Sequence, residues 1–130
     1  MSTKEVLDRH LKCLGAGDLA GFLADYASDV VVFRPLGFAG AGGIARGLAE
    51  ARPAFAALFA EFSPGSTRFE VRQQEIEGDY AYILWEAETA ENIYEVGSDT
   101  YVIKGGKIVF QSFAGKIVPK RLGSGTSKSR

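Results

Sequence analysis

The 130-residue chain is poor in the residue types on which many protein chemistries depend. It has a single cysteine, Cys13, a single histidine, His10, and a single tryptophan, Trp85. A lone cysteine excludes an intrachain disulfide and any cysteine-based metal cluster, and a lone histidine excludes two-histidine zinc or iron sites within one chain. No apolar run approaches the ~18 residues that a membrane helix needs. The opening Met1-Ser2-Thr3-Lys4-Glu5 leads into a charged helical pattern and not into the apolar stretch of a signal peptide. The expectation is a cytoplasmic protein that works without metal or cofactor and does not associate with membrane.

With 46% hydrophobic and 24% charged residues, the chain has the balance of a soluble globule. Its length suits one domain, large enough to form a core without a staple. The net charge of −1 is unevenly spread. Lys116, Lys120, Arg121, Lys128 and Arg130 stand at the end with no acid among them, while between Glu70 and Asp99 nine acids face the single base Arg72. A basic tail suits nucleic acid or an anionic surface. The body, however, has no basic face with interleaved aromatics, so no nucleic-acid partner is expected. Residues 1–118 read as one domain and 119–130 as a flexible basic tail.

Val6, Leu7, His10, Leu11 and Leu14 fall on one helical stripe over 3–14, ended by Gly15-Ala16-Gly17. Asp18 is placed to cap a short second helix carrying Leu19, Phe22, Leu23 and Tyr26. Val30-Val31-Val32-Phe33 is a β-branched run that stops before Pro35. Ile44 and Leu48 start a third helical region, and Pro53 opens a new helical piece with Phe55, Leu58, Phe59 and Phe62 as its stripe. After the break Ser63-Pro64-Gly65-Ser66, strands are expected over 67–77, 80–90, 94–104 and 107–118, with hairpin signals at Gly78-Asp79 and Gly105-Gly106. Helices followed by a long meander is the α+β pattern. Gly40-Ala41-Gly42-Gly43-Ile44-Ala45 fits a dinucleotide fingerprint, but hairpin-linked strands leave no βαβ unit around it, so it reads as a loop.

The run His10-Leu11-Lys12-Cys13-Leu14-Gly15-Ala16-Gly17-Asp18-Leu19, with Asp25-Tyr26-Ala27-Ser28-Asp29-Val30, resembles the opening of the nuclear-transport-factor-2-like superfamily, in its SnoaL-like and ketosteroid-isomerase-like branch. Asp99-Thr100-Tyr101-Val102, Gly106-Lys107-Ile108-Val109 and Gln111-Ser112-Phe113 resemble its ending. The resemblance covers residues 3 to 118. It implies a cone, in which a curved antiparallel sheet wraps N-terminal helices around an apolar pocket, and a homodimer formed through the outer face of the sheet. The activities it implies are isomerisation, cyclisation and dehydration of small hydrophobic molecules, beside members that only bind ligands or partners.

Matched by motif, the steroid isomerase's helix tyrosine falls on His10, its late aspartate on Asp99 and its proton-shuttling aspartate on Arg34. An arginine cannot act as that base, so the standard steroid mechanism is not expected. His10 is either a satisfied core histidine or an acid/base group with a carboxylate partner. Asp99 lies on the wet face of its strand or in the pocket; the resemblance places it in the pocket, where it would be His10's partner or a hydrogen-bond donor. On the strand from Tyr80, Tyr82, Leu84 and Glu86 share one face, concave by resemblance, with Glu86 near the pocket or at its edge. Ala81, Ile83, Trp85 and Ala87 share the other, where Trp85 would pack or meet a second subunit. Tyr26, Gln111 and Phe113 line the pocket by the same carry-over, and Leu48, Phe55, Phe59 and Tyr101 complete its wall. Arg34 either points inward, where it clamps a substrate carboxylate or enolate or neutralises Asp99, or points outward as an ordinary strand-end arginine. Cys13 reads as an inert thiol. The chain is then a cofactor-independent acid/base enzyme of isomerase, cyclase or dehydratase type, or a binding module built on the same pocket.

Overall fold

The structure, a computed structural model, describes residues 1–38, 42–62 and 67–120. The expected break at 63–66, the tail from 121 onward and the start of the glycine-rich motif lie outside the described residues. Helix α1 (Thr3–Ala16) starts in a capping box: the Ser2 hydroxyl accepts from the Glu5 N–H at 3.1 Å, and Glu5 Oε1 accepts from the Ser2 N–H at 2.8 Å. It ends at Gly17, whose φ of 70° needs a residue without a Cβ. Asp18 then caps α2 (Leu19–Ala24), accepting from the Gly21 N–H at 2.9 Å.

Strand β1 (Tyr26–Phe33) begins four residues before Val30. Tyr26, which helical spacing assigns to the second helix, is therefore the first residue of a strand. The cause is Asp25, whose carbonyl accepts from the Ile108 N–H at 2.8 Å and brings the chain alongside the last strand. Ile44 also lies in a strand, β2 (Ile44–Arg46), which pairs antiparallel with β1 where the dinucleotide motif would need a helix. Helix α3 (Leu48–Phe62) is continuous, with Pro53 inside it and not at the start of a separate piece.

Four strands follow: β3 (Arg68–Glu77), β4 (Tyr80–Glu88), β5 (Asn92–Lys104) and β6 (Lys107–Pro119). The last continues past the expected end at Val118, and Lys120 pairs with Glu88 at 2.6 Å. Gly105 and Gly106 both take positive φ, as a two-residue hairpin turn requires. The sheet order is β2-β1-β6-β5-β4-β3. Every pair is antiparallel except β1–β6, which is parallel because β1 enters beside β6 after two helices instead of a hairpin. Register shifts in β3–β4, β4–β5 and β5–β6 bend the sheet into an open cone around the helices.

Trp85, Gly97 and Gly115 are aligned across β4, β5 and β6. A Cβ on Gly97 would stand 2.4 Å from the Trp85 ring, so the indole lies directly over that backbone. Gly97→Ala is expected to destabilise the fold by about 1–3 kcal/mol and to shift the emission of the only tryptophan. A denaturant titration read by fluorescence checks both, and unchanged stability with unchanged emission would refute this packing.

Candidate functional site

The concave face of the sheet and the three helices enclose a cavity of about 70 Å³. Its wall is mostly apolar, with Leu11 and Leu14 from α1, Phe55, Leu58 and Phe62 from α3, and Ile83, Trp85 and Phe113 from the sheet. Asp99, Tyr101, Gln111 and Arg34 are the polar exceptions beside the indole N–H. Alternation along β5 puts Asp99 and Tyr101 on this face, and β6 pairs Gln111 opposite Tyr101 and Phe113 opposite Asp99.

Asp99 is held from both sides. The Trp85 Nε1–H donates to its Oδ2 at 2.8 Å, and the Gln111 amide donates to Oδ1 at 3.0 Å. The Tyr26 hydroxyl donates to Gln111 Oε1 at 2.5 Å, and His10 Nε2 lies 3.1 Å from the same hydroxyl. The other ring nitrogen of His10 faces Asp25 Oδ2 at 3.0 Å, and Arg9 donates to Asp25 Oδ1 through Nε at 2.8 Å and Nη2 at 2.5 Å. One continuous line of polar contacts thus runs from Arg9, near the surface, to the cavity wall.

This arrangement corrects several expectations. His10 is buried and stacked on Phe22, with ring centroids 3.8 Å apart, but it stands behind Tyr26 and off the cavity wall. Its carboxylate partner is Asp25, not Asp99. Asp25 and Arg9 were missed because nothing in the helix or strand periodicity links position 25 to the first helix. On β4 the faces are reversed: Ala81, Ile83, Trp85 and Ala87 are buried, while Tyr82, Leu84 and Glu86 are on the outer face. Strand periodicity is two, so one residue of misassignment flips every side chain. The acids Glu86 and Glu88 were the available signal, since they stay in solvent and pair with Arg72 at 3.1 Å and Lys120 at 2.6 Å. Trp85 accordingly faces inward, stacked on Phe113, and not toward a second subunit. Tyr26, Leu48 and Phe59 pack in the core outside the cavity lining, Tyr26 against Phe55 and Phe59 against Phe22. Arg34 does line the cavity. Its Nε donates to the Gly42 carbonyl at 2.7 Å, and no carboxylate pairs with it among the described residues.

The electrostatics follow from burial. Desolvation raises the Asp99 carboxyl to about 6, against the pull of its bonds from Gln111 and Trp85. Burial also lowers the His10 pKa, opposed by Asp25. For Asp25 burial pushes upward, but the bonds and charges of His10 and Arg9 win and hold it below the usual carboxylate range. Tyr26 and Tyr101 are raised well above the usual phenol value, first by burial and then by neighbouring negative charge, so both remain protonated donors. The Tyr101 hydroxyl, on a residue only 2% exposed, has no hydrogen-bond partner among the described residues. Burial and Asp18 raise the Cys13 thiol, which keeps it out of the reactive thiolate form. Among the described residues no three His, Cys, Asp or Glu side chains are grouped to hold a metal ion, and no helix is long and apolar enough to cross a membrane.

Comparison with known proteins places these features in a family context. Residues 7–111 match the profile of the SnoaL-like domain. No curated protein matches the sequence. Among solved structures, an NTF2-like protein of unknown function from Mesorhizobium loti is 22% identical, with a TM-score of 0.71 over 88% of this chain and 90% of that one. TerC, co-crystallized with polyporic acid, is 19% identical, with a TM-score of 0.69 over 88% and 91%. A loop-truncation variant of IdmH is 17% identical, with a TM-score of 0.71 over 87% and 91%. At these identities the likeness is one of fold.

The raised Asp99 pKa carries a stability cost of known sign. The folded carboxyl keeps its proton until pH about 6, whereas the unfolded one loses it near the ~3.9 reference. The favourable contribution is complete below that reference and is lost as pH rises through the folded value. Asp99→Asn cannot ionise, so it is expected to gain about 2–3 kcal/mol on the wild type between pH 4 and 7. Thermal unfolding of both proteins across that range checks this, and a constant difference in melting temperature would refute it.

Proposed function

The chain belongs to the SnoaL-like domain family, and on that premise we propose that it is a cofactor-independent acid/base enzyme of isomerase, cyclase or dehydratase type acting on a small hydrophobic, carbonyl-bearing molecule. The observation that carries this reading is Asp99, a buried carboxyl on an apolar wall whose pKa of about 6 suits proton exchange near neutrality. Tyr101, two residues on along the same face, supplies the complementary group. In this reading the Asp99 carboxylate takes a proton from the carbon next to a substrate carbonyl. The negative charge that develops on the carbonyl oxygen is met by the Tyr101 O–H. Returning the proton to a different carbon completes an isomerisation; alternatively the enolate carbon attacks a second carbonyl, closing a ring, and the alkoxide so formed takes the proton back from Asp99. Arg34, whose Nη groups have no partner among the described residues, suits a carboxylate or enolate elsewhere on the ligand.

The enclosed 70 Å³ admits only the reacting end of such a molecule, since ligand sites are commonly several hundred cubic ångströms. A wider cleft of about 540 Å³, lined by Ala57, Glu61, Asn92, Tyr94 and Ile117, adjoins it across Phe38 and Leu58. Phe38 packs on Phe113 at 4.8 Å between ring centroids. Its side chain is the gate in this proposal, and swinging it aside would join the two spaces. A neighbour of the same fold co-crystallized with polyporic acid supports a small organic ligand. The small size of the cavity also favours a second reading, a binding module without turnover, in which Asp99 serves only as a hydrogen-bonding group.

The two readings separate in heavy water. Across a panel of cyclic and hydrophobic carbonyl compounds, the enzyme reading expects uptake of deuterium next to the carbonyl, followed by mass spectrometry, with a rate that rises through pH 6. Asp99→Asn should slow exchange by a factor on the order of 10²–10⁴, and Tyr101→Phe should slow it without abolishing binding. Binding, read from Trp85 fluorescence, without any exchange would leave the module reading. Neither binding nor exchange would remove both.

The outer face of the sheet presents Phe33, Tyr82, Leu84, Val102 and Phe110, none of them buried. We propose that this face joins two copies of the chain. A homodimer mass by light scattering at micromolar concentration is the expected result, and a monomer would refute it.

A further inference from the structure

Between His10 and Asp99 stand two uncharged side chains, Tyr26 and Gln111, and each contact in the line needs one donor and one acceptor. The Asp25 carboxylate takes the Nδ1 proton of His10 whether the ring is neutral or charged, so the charge of the ring depends on Nε2. When Asp99 is ionised, Gln111 turns its amide N–H toward it, as the structure has it. The amide oxygen then faces Tyr26 and accepts the phenol proton. The phenol oxygen in turn needs a donor, and His10 Nε2 is the group that faces it. Both ring nitrogens then carry protons, and His10 is an imidazolium.

When Asp99 holds a proton toward the amide, every bond can reverse. The amide N–H donates to the phenol oxygen, the phenol donates to Nε2, and the ring is neutral. The mixed state, with Asp99 ionised and His10 neutral, sets two acceptors face to face at 3.1 Å in a fully buried place.

We propose that Tyr26 and Gln111 are positioning residues that tie the protonation of His10 to the ionisation of Asp99, so that two groups which never touch share one proton across neutral pH. The buried charge is then balanced twice, Arg9 against Asp25 and His10 against Asp99. Besides those partners, His10 faces the rings of Phe22 and Tyr101, while Asp99 faces Trp85 and Tyr101, with Arg34 on the same cavity wall. Helix α3 turns only apolar side chains to this region, Phe55 and Phe59 among them. The linkage rests on the hydrogen-bond line and not on the enzyme reading, so its test needs no substrate.

The single histidine gives one uncluttered proton NMR titration. In the wild type, loss of the last ring proton is coupled to an ionised Asp99, and Asp99→Asn is expected to lower the His10 midpoint by about one unit or more. Gln111→Met cuts the line while leaving the separation of the two groups unchanged, so Asp99→Asn should no longer move His10 in that background. Tyr26→Phe makes the same cut at the other link and serves if the Met variant does not fold. A shift that persists after either cut would mean coupling through space alone and would overturn the proposal. No shift on Asp99→Asn in the otherwise wild-type protein would overturn it as well.

Discussion

A carboxylate almost wholly withdrawn from water, that of Asp25, connects the parts of the molecule that the rest is built on. Its side chain binds Arg9 and His10 on α1, its N–H donates back to α2, and its carbonyl accepts from Ile108 on β6. A buried charge is tolerated only when its partners are in place, and taking one away leaves the others with an uncompensated cost. The two N-terminal helices are therefore pinned to the parallel edge of β6. Lys107 reinforces that junction by donating to the Ala24 carbonyl at 2.6 Å. Tyr26 follows directly from this pin, because the residue after Asp25 has to enter the sheet beside Ile108.

From that junction the polar line continues inward, and its satisfaction determines what the cavity contains. Buried polar groups need partners. His10, Tyr26 and Gln111 use theirs on one another, and the indole of Trp85 uses its N–H on Asp99. The Tyr101 hydroxyl, with its proton unassigned, and the remaining lone pairs of Asp99 are left turned to the cavity. Both side chains lie on one face of β5, which is paired with a strand on either side.

The architecture was legible in the sequence wherever a local rule dictates a local structure. Gly17, Asp18 and the pair Gly105-Gly106 are caps and turns whose chemistry does not depend on distant residues. Legibility failed where tertiary contact overrode local pattern. Tyr26 has helical spacing from Phe22 and Leu23, yet the Asp25 carbonyl carries it into a strand. On β4 the face of Tyr82, Leu84 and Glu86 was set inward by the resemblance alone, whereas the buried face carries Ala81, Ile83, Trp85 and Ala87. The two glutamates on the even positions were the better guide, because leaving an acid in water costs nothing while burying one needs a partner. Arg34, Phe55, Asp99, Tyr101, Gln111 and Phe113 were named for the cavity beforehand, but Trp85 and most of the apolar wall were not, nor were their mutual contacts. No spacing rule couples Asp25 to His10 or Trp85 to Asp99, since those pairings are made by the register of the whole sheet.

The fold alone supports many activities, so the functional reading has to come from how charge is distributed around this cavity. Among the described residues two charged groups reach its wall, Arg34 and Asp99. Arg34 spends one donor on the Gly42 carbonyl and forms no ion pair with Asp99 among the described residues. Had the two been paired, the guanidinium would have held the carboxyl low and kept it from exchanging protons near neutrality. Asp99 has instead only neutral donors beside it, so burial dominates and its affinity for a proton rises. His10 has the opposite fate: its acid/base capacity is enclosed behind Tyr26, where no ligand in the cavity can reach it. Of the two groups the carboxyl alone stands on the cavity wall, and the histidine is joined to it only through Tyr26 and Gln111.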